Sequence, residues 1–171
     1  MADLVKSRLG QRRAVAHKGP VREFLALRVA GEEYGVELTG IREILSPPPV
    51  TPVPRAPRQV LGVCSVRGLL VTVVCLRRRL GLEDQPLTRR SRVLLTTGPS
   101  DEVFGVLVDE VQQVVRLAEP EIEYSAAVLG GDVSDHVLGI GRPSPRNDVI
   151  ILLDLGRIVG QLTEDNAWQA R

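Results

Sequence analysis

Short apolar runs broken by turn residues dominate this chain, and few of them keep the 3.6-residue period of a helix. FLALRVA, GEE and YGVEL read as a strand, a tip carrying Glu32 and Glu33, and a return strand. In TGIREIL, which follows, Ile41, Ile44 and Leu45 fall at i, i+3 and i+4, predicting a short helical turn with Thr39 as its N-cap. The prolines of SPPPVTPVPRAPRQ lack the ladder donor and force extended backbone, so this segment is a stiff surface crossing. VLGVCSVRGLLVTVVCL, residues 60–76, is a pair of buried strands reversed at Arg67-Gly68, and LRRRLGL after it is a short helix or turn. Gly62 in mid-strand marks a bulge or the close approach of another backbone. Near the end, GIGRPSPRND is a hairpin loop between VLGIG and DVIILL, and Asp154 starts a last helix, LGRIVGQL. Thr163 to Arg171 reads as a fraying end with Trp168 half-exposed.

The pattern repeats. YGVELTGIREIL from Tyr34 returns as FGVLVDEVQQVV from Phe104, with Ile41, Ile44 and Leu45 falling on Val111, Val114 and Val115. Thr39 falls on Asp109, another capping residue, and Glu43 on Gln113. VLGV from Val60 returns as VLGI from Val137, and VTVVCLRRRLG from Val71 as VIILLDLGRIVG from Val149, with one extra residue in the later copy. Two matched elements in the same order indicate two copies of one small β unit of about five strands. A sheet that small hides its edges by curling into a barrel, and two small barrels gain by packing together. The expected architecture is all-β: two pseudo-equivalent barrels around a shared Val, Ile and Leu core, with short helices at connections and the C-terminus. Residues 23–160 form the domain, two interleaved barrel subdomains (about 23–90 and 91–160), flanked by tails at 1–22 and 161–171.

Composition narrows the function. Aromatic residues are only 3% of the chain, so aliphatic side chains must build the core, and base stacking has few platforms. A net charge of +1 lacks the broad basic field of a dedicated nucleic-acid binder. The basic residues Lys6, Arg8, Arg12, Arg13, Lys18 and Arg22 make the leader either solvated or a contact for an acidic partner. No apolar run reaches the roughly 18–20 residues of a membrane span, and no signal-peptide h-region opens the chain. Cys64 and Cys75 lie inside apolar runs as buried reduced thiols, which suits a cytoplasmic protein.

Catalytic patterns are missing. His17 and His136 are far apart and have no Glu or Cys at ligand spacing, so no metal or other cofactor site is expected. No P-loop, dinucleotide fingerprint or nucleophile elbow occurs. Asp109 and Asp154 read as caps, and Arg77, Arg78 and Arg79 as a solvated face. Binding, not catalysis, is the expected activity. Glu43 and Arg67 are each a charge stranded beside core segments, and we expect them to meet, which makes the Arg67-Gly68 turn the candidate docking surface. An enzyme would need His136 and Cys75 together in a cleft. A small-barrel nucleic-acid binder would rely on the leader and Arg77–Arg79.

EFLALRVAGEEYGVELTGIREIL, TPVPRAPRQVLGVCSVRGLLVTVVCLRRRLGL, FGVLVDEVQQVV and VLGIGRPSPRNDVIILLDLGRIV, in this order, resemble the CheW family of chemotaxis coupling proteins. The resemblance implies two SH3-like five-stranded barrels flanking a shared hydrophobic core. It also implies a non-enzymatic adaptor joining the cytoplasmic tip of chemoreceptors to the regulatory domain of the histidine kinase CheA. On this reading Ile41, Gly62, Arg67 and Gly68 line the receptor-facing groove, with Glu43 behind Arg67. Kinase contacts lie on barrel-end strands and loops, on no particular residue. The protein would be cytoplasmic and recruited to receptor arrays, without inserting into the membrane. A CheW-like subunit of a non-motility array is the neighbouring reading. Two departures touch the groove: Ser65-Val66 stand where the family has Asn-Leu, and Cys75 stands where it has an aspartate, whereas Asp154-Leu155 keep the pattern.

Overall fold

The computed structural model describes residues 19–124, 135–145 and 148–164. The leader before Gly19 and Trp168 lie outside the described residues. Strand β1 (Val21–Val29) turns at Ala30-Gly31 into β2 (Glu32–Glu37), the expected hairpin, with Phe24 paired to Glu37 and Val29 to Glu32. Glu32 and Glu33 therefore begin the return strand. The basic leader is shorter than expected, because Val21 and Arg22 already belong to β1, where Arg22 pairs with Glu37.

TGIREIL is not helical. A single 3-10 turn at Leu38–Gly40 gives way to β3 (Glu43–Leu45), paired with Leu95, Leu94 and Val93. No side chain caps the turn, so Thr39 is not an N-cap. Over so short a window the i, i+3, i+4 spacing does not separate a helix from a strand that starts after a turn. The stiff crossing at 46–58 leads into β4 (Val60–Val66), β5 (Leu69–Cys75) and the four-residue α1 (Leu76–Arg79). The second copy supplies β6 (Arg92–Thr97), β7 (Val103–Val108), β8 (Glu110–Ala118), β9 (Ile122–Tyr124), β10 (Val137–Gly141), β11 (Ile150–Leu153) and α2 (Leu155–Glu164). Helix α2 runs beyond the expected end at residue 160, because Leu162 is buried in the core.

Two sheets result, ordered β8-β1-β2-β11-β10-β9 and β3-β6-β7-β5-β4. The first thus has six strands among the described residues, one more than expected. Strands from both sides of residue 90 enter each sheet, so the two barrels interleave. Each copy sends its first hairpin to one sheet and its later strands to the other: β1 and β2 lie in the first sheet, β3 to β5 in the second. The second copy mirrors this exchange, because β6 and β7 stay in the second sheet while β8 crosses to pair with β1. The repeat reported which residues are equivalent, and it carried no information on which sheet each strand joins. The equivalence itself is preserved in the register. Tyr34-Gly35-Val36 pairs in parallel with Ile151-Leu152-Leu153, and Phe104-Gly105-Val106 with Thr72-Val73-Val74.

Alternation along these strands builds three apolar clusters. Tyr34, Val36, Phe104 and Val106 face a shared core between the sheets, with Leu27, Val29, Leu94 and Ile158. The glycine between each aromatic and its valine faces the inside of its own barrel. A methyl at Gly35 would stand 3.0 Å from Leu152 Cδ2, and one at Gly105 only 2.7 Å from Val93 Cγ1. Phe24, Leu117, Ile122, Ile150 and Leu152 fill the first barrel, and Cys64, Val71, Val73, Val93 and Leu95 the second. Cys64 and Cys75 are both buried free thiols.

Candidate protein-docking site

The reversal between β4 and β5 is a two-residue hairpin, with Val66 paired to Leu69. Arg67 has φ 50° and Gly68 φ 80°, the left-handed pair that a primed turn needs to match strand twist. Glycine fits that requirement. Arginine does not, and its left-handed backbone is a local cost that Asn or Gly would avoid. The side chain accounts for its presence: Arg67 Nη1 donates to Glu43 Oε2 at 2.6 Å, while Nη2 donates to Oε1. This fork-on-carboxylate geometry holds the Glu43 carboxyl below its usual range and raises the Arg67 guanidinium further. The expected pair is therefore formed. Strands β3 and β4 are the two ends of their sheet, so the pair also draws those ends together. Arg67 remains 68% exposed, and the pair is accessible to a partner.

The other three groove candidates differ in kind. Gly68 is exposed at the turn with nothing within 4 Å of where a methyl would stand. Ile41 is partly buried against the shared core. Gly62 is buried at a β-bulge with φ 150°, and its missing side chain is filled by the molecule itself. A methyl there would lie 2.1 Å from the Thr51 carbonyl oxygen, under the point where the proline crossing bridges to Val63. Gly62 is thus a support beneath the surface and not an open groove floor.

Sequence reasoning missed one further feature, which departs from strand alternation. Leu70 is 74% exposed and Leu69 58%, directly after the turn, and Ile44 beside Glu43 is 41% exposed. Arg67 and the two leucines that follow its turn thus leave a cation and apolar side chains exposed at one end of the β4–β5 hairpin. Ser65 is exposed opposite Leu70, and Val66 packs toward the second barrel's interior. Cys75 precedes α1 with no side-chain cap, whereas Asp154 at the equivalent start of α2 accepts the Arg157 N–H at 3.1 Å.

The arginine run is not a solvated face. Arg77 is 13% exposed and grips Asp109, its Nε and Nη2 both donating, the latter at 2.6 Å. Asp109 in turn accepts the Ala30 N–H at 2.9 Å, so it is a clamp between hairpin tip and α1, not a helix cap. Burial pushes the Asp109 carboxyl up, but the Arg77 and Ala30 donors outweigh it and hold it below its usual range. Arg78 pairs with Asp84, and the buried Nε and Nη2 of Arg79 meet no partner among the described residues. Carboxylates thus occupy Arg77 and Arg78, two cations that a phosphate backbone would need. Among the described residues no group of three or more His, Cys, Asp or Glu is placed to hold a metal ion. Among them, too, no helix is long and apolar enough to cross a membrane.

Residues 23–163 match the family model of the CheW-like domain. The chain is 28% identical over 134 residues to chemotaxis protein CheW of Helicobacter pylori, covering 78% of this chain and 80% of that one. It is 35% identical over 102 residues to chemotaxis protein CheW of Rhizobium meliloti, covering 60% of this chain and 65% of the relative, just under two thirds. Protein FrzA of Myxococcus xanthus is 30% identical over 149 residues, covering 86% and 91%. In fold, the chain is similar to the crystal structure of the scaffolding protein TtCheW from Thermoanaerobacter tengcongensis. The TM-score is 0.72 at 23% identity, covering 81% of this chain and 92% of that one. Two intertwined barrels, the shared core and a family match over most of the chain lead to one conclusion: the chain belongs to the CheW-like domain family.

Proposed function

We propose that this chain is a non-enzymatic adaptor that couples the cytoplasmic tip of a chemoreceptor to the regulatory domain of a CheA-type histidine kinase. Family membership over residues 23–163 is the observation that carries this reading. The exposed Arg67 turn and the leucines after it support it physically. A receptor tip is a helical hairpin, and a helix face docks on a rigid surface that offers apolar anchors and a fixed charge. Ile41, Arg67 and Gly68 make the receptor-facing surface, Gly62 holds it from beneath, and Glu43 fixes the angle of Arg67. The adaptor works in the cytoplasm, recruited to arrays by its partners and without a cofactor. An array whose output is not motility would use the same surfaces, since the kinase's target sets the output.

Modest surfaces of this kind give micromolar affinity, about −8 kcal/mol. Arg67→Glu sets a second carboxylate against Glu43 and removes the fixed cation. We expect at least a tenfold loss in affinity for a receptor hairpin fragment and less than a threefold change for the kinase regulatory domain, both read by calorimetric titration. Kinase binding lost with receptor binding intact would refute this assignment of the surface. Unchanged binding of both partners would remove Arg67 from the site.

A further inference from the structure

Two buried ionisable side chains, Arg79 and His136, lie outside the Arg67 turn and the Asp109 clamp. Arg79 closes α1 beneath the second barrel, and His136 immediately precedes β10 of the first. His136 is 4% exposed, and its carbonyl accepts the Asp154 N–H at 2.9 Å, fixing the corner that leads into α2. Arg79 has Nε and Nη2 both buried and without a hydrogen-bond partner among the described residues, and its charge acts on His136. The nearest compensating carboxylate, Asp135, is turned to α2: its side chain accepts from Gln161 at 3.3 Å and its carbonyl from Arg157 at 3.1 Å. Asp154, the other acid here, caps α2 and pairs with Arg157. Among the described residues, the charges around His136 are therefore Arg79 from α1, Asp135 beside it, and Asp154 and Arg157 from α2.

A second cation has no place in such a corner. Removal from water already disfavours imidazolium, Arg79 adds to this, and Asp135 offsets only part of it. Arg79 is itself weakened as a cation by burial. We propose that buried His136 makes the corner between β10 and α2 acid-sensitive, with opening of that corner the route by which its imidazole gains a proton.

The sign follows from linkage. An opened corner exposes His136 to water, where it binds a proton near its ordinary value of about 6.5. The closed corner binds it only at lower pH. Closure is then complete above about pH 6.5 and weakens as pH falls below it, by up to tenfold in the opening equilibrium for each pH unit, until the closed-state value is reached.

Amide hydrogen exchange on the full chain, corrected for intrinsic rates, tests this at the Asp154 N–H, with the Val106 N–H inside a central strand as reference. Between pH 7.0 and pH 5.5 we expect protection at Asp154 to fall measurably, by at most about eightfold, with little change at Val106. In His136→Gln the pH-dependent fall should disappear. In Arg79→Met it should shrink and level off at higher pH, because the neighbouring cation is gone, and the His136 imidazole resonances should titrate closer to their ordinary value. An equal fall at Asp154 in wild type and His136→Gln would overturn the proposal. So would a wild-type His136 that titrates at its ordinary value with the corner still protected.

Discussion

Gly62→Ala is expected to destabilise the fold by about 4 kcal/mol, lowering Tm by about 10 °C. Three causes act together. A φ of 150° is open to glycine and strained for alanine. The new methyl would meet backbone only, with Thr51 O at 2.1 Å, Thr51 C at 2.6 Å and Pro52 Cα at 2.9 Å, so no side chain can rotate away. Moving Thr51 then breaks the reciprocal bonds that tie the proline crossing to β4, Thr51 N–H to Val63 O at 2.8 Å and Val63 N–H to Thr51 O at 2.9 Å. Gly68→Ala is the control. It shares the left-handed backbone but has open space for a methyl, so it should cost only about 1 kcal/mol. Thermal unfolding followed by circular dichroism separates the two, and a Gly62→Ala protein that melts within 2 °C of wild type would contradict this account of the bulge.

Replacing Asp109 by alanine should cost about 3 kcal/mol, and by asparagine about 2 kcal/mol. Either change leaves Arg77, 13% exposed, without its counter-ion, and alanine also strands the Ala30 N–H at the β1–β2 tip. Coupling is the diagnostic. Arg77→Met removes the stranded charge, so the double variant Arg77→Met/Asp109→Ala should be more stable than the sum of the two single losses by at least about 1 kcal/mol. Additive losses would contradict the clamp. The pH dependence adds a second check. Because the folded carboxyl is held below the usual value of about 3.9, its stabilisation is complete above about pH 4 and is lost as pH falls through the folded value. The gap between wild type and Asp109→Asn should therefore narrow in strongly acid solution.

The clamp also shows where sequence reading reached its limit. Hairpin, proline crossing and repeat were legible because each rests on local chemistry: turn residues, missing donors and period-two alternation. The Glu43–Arg67 pair was legible because both charges interrupt apolar runs with nothing nearby to neutralise them. Arg77 gave no such signal. Three adjacent arginines look solvated until folding brings in Asp109, 32 residues away. The same blindness to long-range contacts turned Asp109 into a cap and the strand at Glu43–Leu45 into a helical turn. Two correctly matched copies suggested two interleaved barrels, but residue equivalence does not reveal which strands, β3 and β8, cross to the other sheet. At Gly62 the missing side chain was read correctly as a close approach, but the approaching group is the chain's own Thr51 and not a partner.

The Arg67 turn and the Asp109 clamp divide the labour. The clamp and the shared core hold the barrels together as one body, and the turn presents a fixed charge beside exposed leucines. An adaptor needs both, since a bridge between two partners transmits a change at one to the other only if its own body is stiff. Co-sedimentation tests this most directly: receptor-bearing membranes are spun down with the kinase, with and without this chain. The account predicts that kinase pellets with the membranes only when the chain is present, and that Arg67→Glu leaves both chain and kinase in the supernatant as a soluble pair. Kinase that pellets equally without the chain, or a chain that pellets with membranes yet never brings kinase with it, would contradict the coupling role.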